Sequence, residues 1–274
     1  LTGILSGFFL MSITIWITFY SYKRHWDPDN VTAPLITAAG DFFTIPSLLI
    51  SAIAVSMMSG YNQLILYTSV IISLAIVYSF ILSNKKGKLL SSYHRILKES
   101  TPILVISGLF SAIAGLVLES YISEIILIPI ILIFIPSFME TAGNLTNVLS
   151  SRVSSKLHLG TISSKMNFEK EKRKEIINSM HLSYMIYPII GILTFYIGSL
   201  LGIIGLTLIE MIIISVLAGL IIQTVLVLLA MSIAVYSFKH NIDPDNVTIP
   251  LMTSIADVTS ILVLVTALQL LGFV

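Results

Sequence analysis

The sequence predicts an all-α polytopic bundle of transmembrane helices with a parallel internal repeat. Three observations lead to this fold class. Of the 274 residues, 56% are hydrophobic and only 11% are charged, whereas an average soluble domain has about 25% charged residues. Apolar runs recur that are long enough to cross a bilayer, since about 20 helical residues span its hydrocarbon core. Finally, one phrase of fifteen residues occurs twice.

Eight membrane spans are predicted from the apolar runs and the polar breaks between them. They are 1–22, 31–57, 63–83, 101–118, 122–142, 180–201, 206–237 and 247–272. The first is interpreted as a true span rather than a signal peptide, because no basic segment precedes it and no small-residue cleavage site follows it.

Basic residues fix the predicted orientation. Threading the spans alternately puts all fifteen Lys and Arg residues on one side or in segments that enter it. Such an excess marks the cytoplasmic side. We therefore expect an integral protein of the plasma membrane, with loops 84–100 and 159–179 in the cytoplasm and the C-terminus outside.

The repeated phrase runs from Asp27 to Asp41 and again, 216 positions later, from Asp243 to Asp257, and ten of its fifteen positions are identical. Duplication is common in transporters, whose ion site lies near the midplane between the repeats. Because both copies enter from the same side, the repeat is parallel. A pseudo-twofold axis along the membrane normal is expected.

Each copy begins with a helix-start signal, in which an Asp suits the N-cap, a Pro follows at the first helical position, and a second acid lies in the first turn. These acids are Asp27, Asp29, Asp243 and Asp245. We interpret them chiefly as helix-start signals. Attraction of cations at the cytoplasmic mouth is a secondary role.

Deeper in each copy, polar residues and a proline share one helical stripe that ends in an acid. The stripes are Asn30, Pro34, Thr37 and Asp41, and Asn246, Pro250, Thr253 and Asp257. Each proline frees a backbone carbonyl four residues earlier. A carboxylate near mid-bilayer costs at least about 2.5–3.5 kcal/mol, so Asp41 and Asp257 should face a partner, water or an ion path. The alternative is that each Asp bonds a neighbouring helix for packing alone.

A third polar segment runs from Glu140 to Asn147 and follows Pro136. Gly143 and Asn144 at this depth suggest a broken helix that lines a cavity. A helix C-cap at these two residues, followed by an interfacial helix, explains the pattern equally well.

Other chemistry finds little support in the sequence. The chain has no cysteine, which excludes disulfides, thiolate metal sites and thiol redox chemistry. We expect no enzymatic activity, no organic cofactor and no nucleic-acid partner. The expected partners are the lipid bilayer and a divalent cation.

These residues resemble the MgtE magnesium channels and their duplicated relatives, solute carrier family 41. The resemblance rests on the Asp-Pro…Pro…Thr…Asp phrase and on Pro136, Gly143, Asn144 and Arg152. It implies units of five transmembrane helices. Residues 101–274 would then form a complete second unit, 1–57 the last two helices of a first unit, and 58–100 a linker helix and cytoplasmic loop.

The resemblance also implies roles for individual residues. Asp41 and Asp257 match the acid that holds the ion, whereas Asn30 and Asn246 lie near the cytoplasmic opening. Glu140, Gly143 and Asn144 fall in the stretch that lines the pore. No counterpart of Gly143 and Asn144 precedes Leu1, so we expect the N-terminal part of the first unit to be missing. Otherwise a homodimer would complete the pore.

The resulting hypothesis is a Mg²⁺ channel or transporter in which Asp41 and Asp257 meet across the pseudo-twofold axis. Mg²⁺ suits such a site because it keeps much of its water and is usually held by one or two carboxylates. Exchange coupled to Na⁺ or H⁺ is the alternative. An intramembrane aspartyl protease, with two carboxyls sharing a proton, is a remote one, since the Gly-x-Gly-Asp phrase of that family is missing.

Overall fold

A computed structural model describes residues 2–26, 28–57, 67–68, 71, 88–165, 169–203 and 205–273, apart from the side chains of residues 4, 28–34, 41, 88–95 and 97. The helices are α1 (Thr2–Lys23), α2 (Pro28–Met57), α3 (Lys88–Ser120), α4 (Ile122–Ile125), α5 (Pro129–His158), α6 (Lys170–Leu200), α7 (Leu208–Lys239) and α8 (Pro244–Leu270). Seven helices in this described part are long and apolar enough to cross a membrane. The predicted helical transmembrane bundle is confirmed. Most of the span predicted at 63–83 lies outside the described residues.

Helix starts follow the predicted capping chemistry. Asp243 is the N-cap of α8, and its Oδ1 accepts a hydrogen bond from the Asp245 backbone N–H at 3.1 Å, with Pro244 at the first helical position. The second helix likewise begins at Pro28, whereas Asp27 lies outside the described residues. The start of α7 carries a capping box between Thr207 and Glu210.

The chain divides into two units, 1–98 and 99–274. In the first unit, α1 and α2 pack as an antiparallel hairpin. The rings of Phe9 and Phe43 stack with their centroids 5.3 Å apart, and a Cβ added at Gly40 would lie 3.9 Å from Leu10 Cδ2. Gly40 and Leu10 thus lie at the contact between the two helices.

Contacts in the second unit fix the directions of its helices. Arg152 pairs with Glu175 and Phe138 meets Tyr187, so α5 and α6 are antiparallel. Gln223 of α7 bonds Ser179 of α6, and Ser215 bonds the Tyr187 carbonyl, so α7 is antiparallel to α6.

The last helix packs against α5 and α7 and is also bonded to α3. His158 lies beside Asp243 and Asn147 beside Thr253, so α8 is antiparallel to α5. Ser107 bonds the Pro250 carbonyl and Ser111 bonds Ser254, so α3 runs parallel to α8. Within this unit the helices therefore alternate as the threading predicts, and the basic residues from Arg152 to Lys239 gather at one end.

Small residues let α6 and α7 approach closely, as is common between membrane helices. A Cβ added at Gly219 would lie 2.2 Å from the Tyr187 ring, and one at Gly191 would lie 2.8 Å from the Met211 carbonyl oxygen. These two contacts have no room for any side chain beyond glycine.

The fifth helix corrects the prediction of a break at Gly143 and Asn144. It is continuous from Pro129 to His158, so both the broken helix and the C-cap are wrong, and the span predicted at 122–142 ends too early. A glycine inside a helix costs only about 1 kcal/mol relative to alanine. So small a penalty does not end the helix, and Gly143 lies buried against α8, with Thr253 Cγ2 3.9 Å from an added Cβ.

Candidate functional site

The polar stripe of α8 lies between α3 and α5. Its four members, Asn246, Pro250, Thr253 and Asp257, are all half-buried. Thr253 meets Asn147 of α5, and Asn246 meets Glu99 of α3. The second copy of the stripe therefore faces neighbouring helices of its own unit over much of its length.

Thr253 and Asn147 hold α8 against α5. The Asn147 amide Nδ2 donates to Thr253 Oγ1 at 3.1 Å, and the asparagine side chain is buried. Sequence reasoning did not single out Asn147 as a site residue. A signal was present, because Asn147 follows Glu140 and Gly143 at helical spacing and so shares their face.

Glu140 and Asn144 form a pair within α5. The Asn144 amide Nδ2 donates to Glu140 Oε1 at 2.9 Å. The other end of that amide, Oδ1, is buried and meets no hydrogen-bond donor among the described residues. Leaving a buried acceptor unsatisfied costs about 1–3 kcal/mol. The Asn144 oxygen therefore keeps the capacity to accept a hydrogen bond.

Asp257 lies near the middle of α8. Thr253 contacts both Gly143 and Asn147 of the antiparallel α5, so one turn further along α8 brings Asp257 level with the part of α5 that holds Glu140 and Gly143, to within about one helical turn. Glu140 and Asp257 both interact with surrounding groups. Two acids of the unit thus share one depth in the bundle.

Ser107 of α3 contacts α8 at Pro250, a proline that can kink the helix. The Pro250 carbonyl accepts hydrogen bonds from Ser107 Oγ at 3.0 Å and from Ser254 Oγ at 3.3 Å. Sequence reasoning missed Ser107, since an isolated serine in an apolar span carries no signal of its partner.

The acids at the start of α8 lie where the basic residues gather. Asp245 is exposed, and Asp243 Oδ1 lies 3.4 Å from His158 Nε2 at the end of α5. The Asp243 backbone N–H and the Asn246 amide both donate to Glu99 Oε2, at 3.2 and 2.9 Å. After Asn147 and Ser107, Glu99 is the third residue of this region that sequence reasoning missed.

The first copy of the repeat is described in part. Thr37 is half-buried in α2. The side chains of Asp27, Asp29, Asn30, Pro34 and Asp41 lie outside the described residues. The prediction that Asp41 binds the ion together with Asp257 therefore stays a prediction.

The turn before each copy has the same backbone geometry. His25 and Asn241, which are 216 positions apart, both have a positive φ, of 56° and 59°. The Trp26 and Ile242 amides donate to the carbonyls of Ser21 and Ser237, each at 3.0 Å. The local likeness of the two copies thus extends upstream of the repeated phrase.

Among the described side chains, no group of three or more His, Asp or Glu residues is placed to hold a metal ion. The second unit has a half-buried polar stripe on α8, with the carboxylate of Asp257 at the middle of the helix. Nearby, the amide oxygen of Asn144 has no hydrogen-bond partner among the described residues. Together with the helical bundle, this defines a membrane protein of the transporter and channel class.

The chain matches the model of the MgtE divalent cation transporter family over residues 1–51 and 135–267. It belongs to that family, and its resemblance to MgtE is confirmed. Each copy of the repeated phrase lies within one of the two matched segments. No solved structure matches the chain.

Proposed function

We propose that this divalent cation transporter moves Mg²⁺ through a pore between two pseudo-symmetric repeats, with Asp41 and Asp257 binding the hydrated ion near the middle of the membrane. Mg²⁺ is the cargo here and not a resident cofactor. The observation that carries the proposal is the half-buried stripe of α8, which ends in Asp257 beside the polar face of α5.

Oxygen chemistry supports Mg²⁺ over softer ions. Carboxylates and carbonyl oxygens suit hard cations, and Mg²⁺ sheds its water reluctantly. Asp257 supplies charge, whereas Asn144 Oδ1 and Thr253 supply neutral oxygens of the kind that accept hydrogen bonds from bound water. A site with few carboxylates and several neutral oxygen atoms therefore suits a hydrated divalent cation.

The repeat supports the pairing of the two aspartates. Asp41 occupies in the first copy the position of Asp257 in the second. Two carboxylates brought together repel and raise the pKa of one of them unless a cation lies between them. If the two aspartates bind the ion together, ion binding therefore also neutralises the repulsion between their carboxylates.

Mg²⁺ uptake into liposomes that contain the purified protein tests the proposal. We expect Asp41→Asn and Asp257→Asn each to lower uptake at least tenfold without loss of thermal stability, because Asn keeps the shape of the side chain and removes only the charge. Glu119→Gln is the matched control, since Glu119 is an exposed acid near the opposite end of the unit. Wild-type uptake by both aspartate variants would overturn the carboxylate pair.

A further inference from the structure

We propose that Glu99 of α3 is a positioning residue for cation transport, because its carboxylate turns the amide oxygen of Asn246 toward the cation path at the start of α8. This inference rests on the proposed function and deepens it. Glu99 precedes the apolar part of α3, and from this residue onward α3 belongs to the second unit.

The hydrogen bond fixes which way the amide points. Asn246 Nδ2 lies 2.9 Å from Glu99 Oε2. An ionised carboxylate only accepts hydrogen bonds, so the nitrogen and not the oxygen of the amide must face it. The amide oxygen is bonded to the same carbon as the nitrogen and therefore points away from Glu99.

The same carboxylate also holds the backbone at the start of α8. Glu99 Oε2 accepts a hydrogen bond from the Asp243 N–H at 3.2 Å. Glu99 thus ties together the N-cap residue and the first polar residue of the stripe. Helix and side chain are positioned by one group on a neighbouring helix.

A second glutamate and asparagine show the same arrangement deeper in the unit. Asn144 Nδ2 donates to Glu140 Oε1 at 2.9 Å, and the oxygen released by this bond is buried with no donor among the described residues. At both levels a carboxylate takes the amide N–H and leaves the amide oxygen available. Glu99 and Asn246 therefore repeat at the mouth what Glu140 and Asn144 do at mid-depth.

Orientation matters because an amide has unlike ends. Its oxygen accepts hydrogen bonds from the water shell of a cation, whereas its NH₂ group donates and directs positive charge toward the ion. Turning Asn246 around would thus replace attraction by repulsion at the mouth. Glu99 prevents this reversal.

Reversing the donor and the acceptor tests the inference. In Asn246→Asp two carboxylates face each other, whereas Glu99→Gln removes the charge that orients the Asn246 amide. We expect each variant to raise the KM for Mg²⁺ uptake about tenfold, with a smaller effect on the maximal rate. In the double variant the new glutamine N–H donates to the new aspartate, whose second oxygen faces the path. We expect it to recover most of the wild-type KM.

Glu119→Gln, on the same helix, is the control for loss of charge. If Glu99 only capped α8 through the Asp243 N–H, the changes in KM caused by Glu99→Gln and by Asn246→Asp would add up in the double variant. The reason is that Asn246→Asp leaves the Asp243 N–H unchanged. Additive effects, or a Glu99→Gln variant with the wild-type KM, would overturn the inference. A wild-type protein that takes up no Mg²⁺ would instead overturn the proposed function, so the two failures are distinguishable.

Discussion

At the scale of single residues, the amide oxygen of Asn144 is one of several buried side-chain oxygens that have no hydrogen-bond partner among the described residues. Native proteins rarely leave a buried acceptor without a partner, and exceptions concentrate at ligand sites. The amide is held by Glu140 and lies close in depth to Asp257. We therefore propose that Asn144 lies beside the ion path.

Replacing Asn144 by leucine separates these two roles. Since the buried oxygen lacks a partner, we expect Asn144→Leu to keep or slightly raise the melting temperature in detergent and to lower Mg²⁺ uptake at least tenfold. Thr141→Val is the control, because Thr141 Oγ1 donates to the Ser137 carbonyl of its own helix and the residue is partly exposed. Unchanged uptake by Asn144→Leu would remove Asn144 from the path.

At the scale of helices, an ionic cluster joins α5 to α6. Glu175 is only 2% exposed, and its two oxygens lie 2.8 Å from Arg152 Nε and from Lys156 Nζ. The cluster is located at the end of α5 that is rich in basic residues. It fixes the register of α5 and hence the position of Asn144 and Asn147.

Removing the charge of Glu175 should destabilise the unit. We expect Glu175→Gln to cost about 2 kcal/mol, less than for a fully buried pair because both cations remain partly exposed and keep some water. Glu171→Gln is the matched control. Glu171 is 45% exposed and 3.7 Å from Lys156, so its loss should cost under about 1 kcal/mol. Thermal unfolding in detergent measures both, and equal losses would contradict the role of the cluster.

Local signals predicted much of this level of structure. The Asp-Pro phrase predicts the N-cap of α8, and apolar runs predict most spans, because both depend on neighbouring residues only. Tyr20-Ser21 and Tyr236-Ser237, which precede the matching turns, were a usable signal that sequence reasoning overlooked. Glu99 and Ser107 could not be predicted, since the role of each depends on contact with α8. The continuity of α5 was missed because glycine and asparagine are also common at helix ends.

At the scale of the whole molecule, the distribution of charge predicts sidedness. In the second unit the basic residues gather at one end, whereas the loop between α6 and α7 has none. Positive residues favour the cytoplasmic side.

The absence of cysteine from the chain makes this prediction easy to test. Single cysteines at two exposed loop positions, Thr161→Cys and Leu201→Cys, should react with a membrane-impermeant maleimide from opposite sides. We expect Leu201→Cys to be labelled in intact cells and Thr161→Cys only after the cells are opened. Labelling of both from outside would contradict the alternate threading.

The continuity of α5 has a mechanical consequence. Arg152 and Asn144 lie on one unbroken rod, roughly 12 Å apart by the helical rise. A helix whose backbone hydrogen bonds are intact transmits torsion, so a twist applied at Arg152 turns Asn144 through a similar angle and swings its oxygen toward or away from α8. A ligand or protein that displaces Glu175 would thereby move Asn144 relative to the proposed ion path without contacting that path.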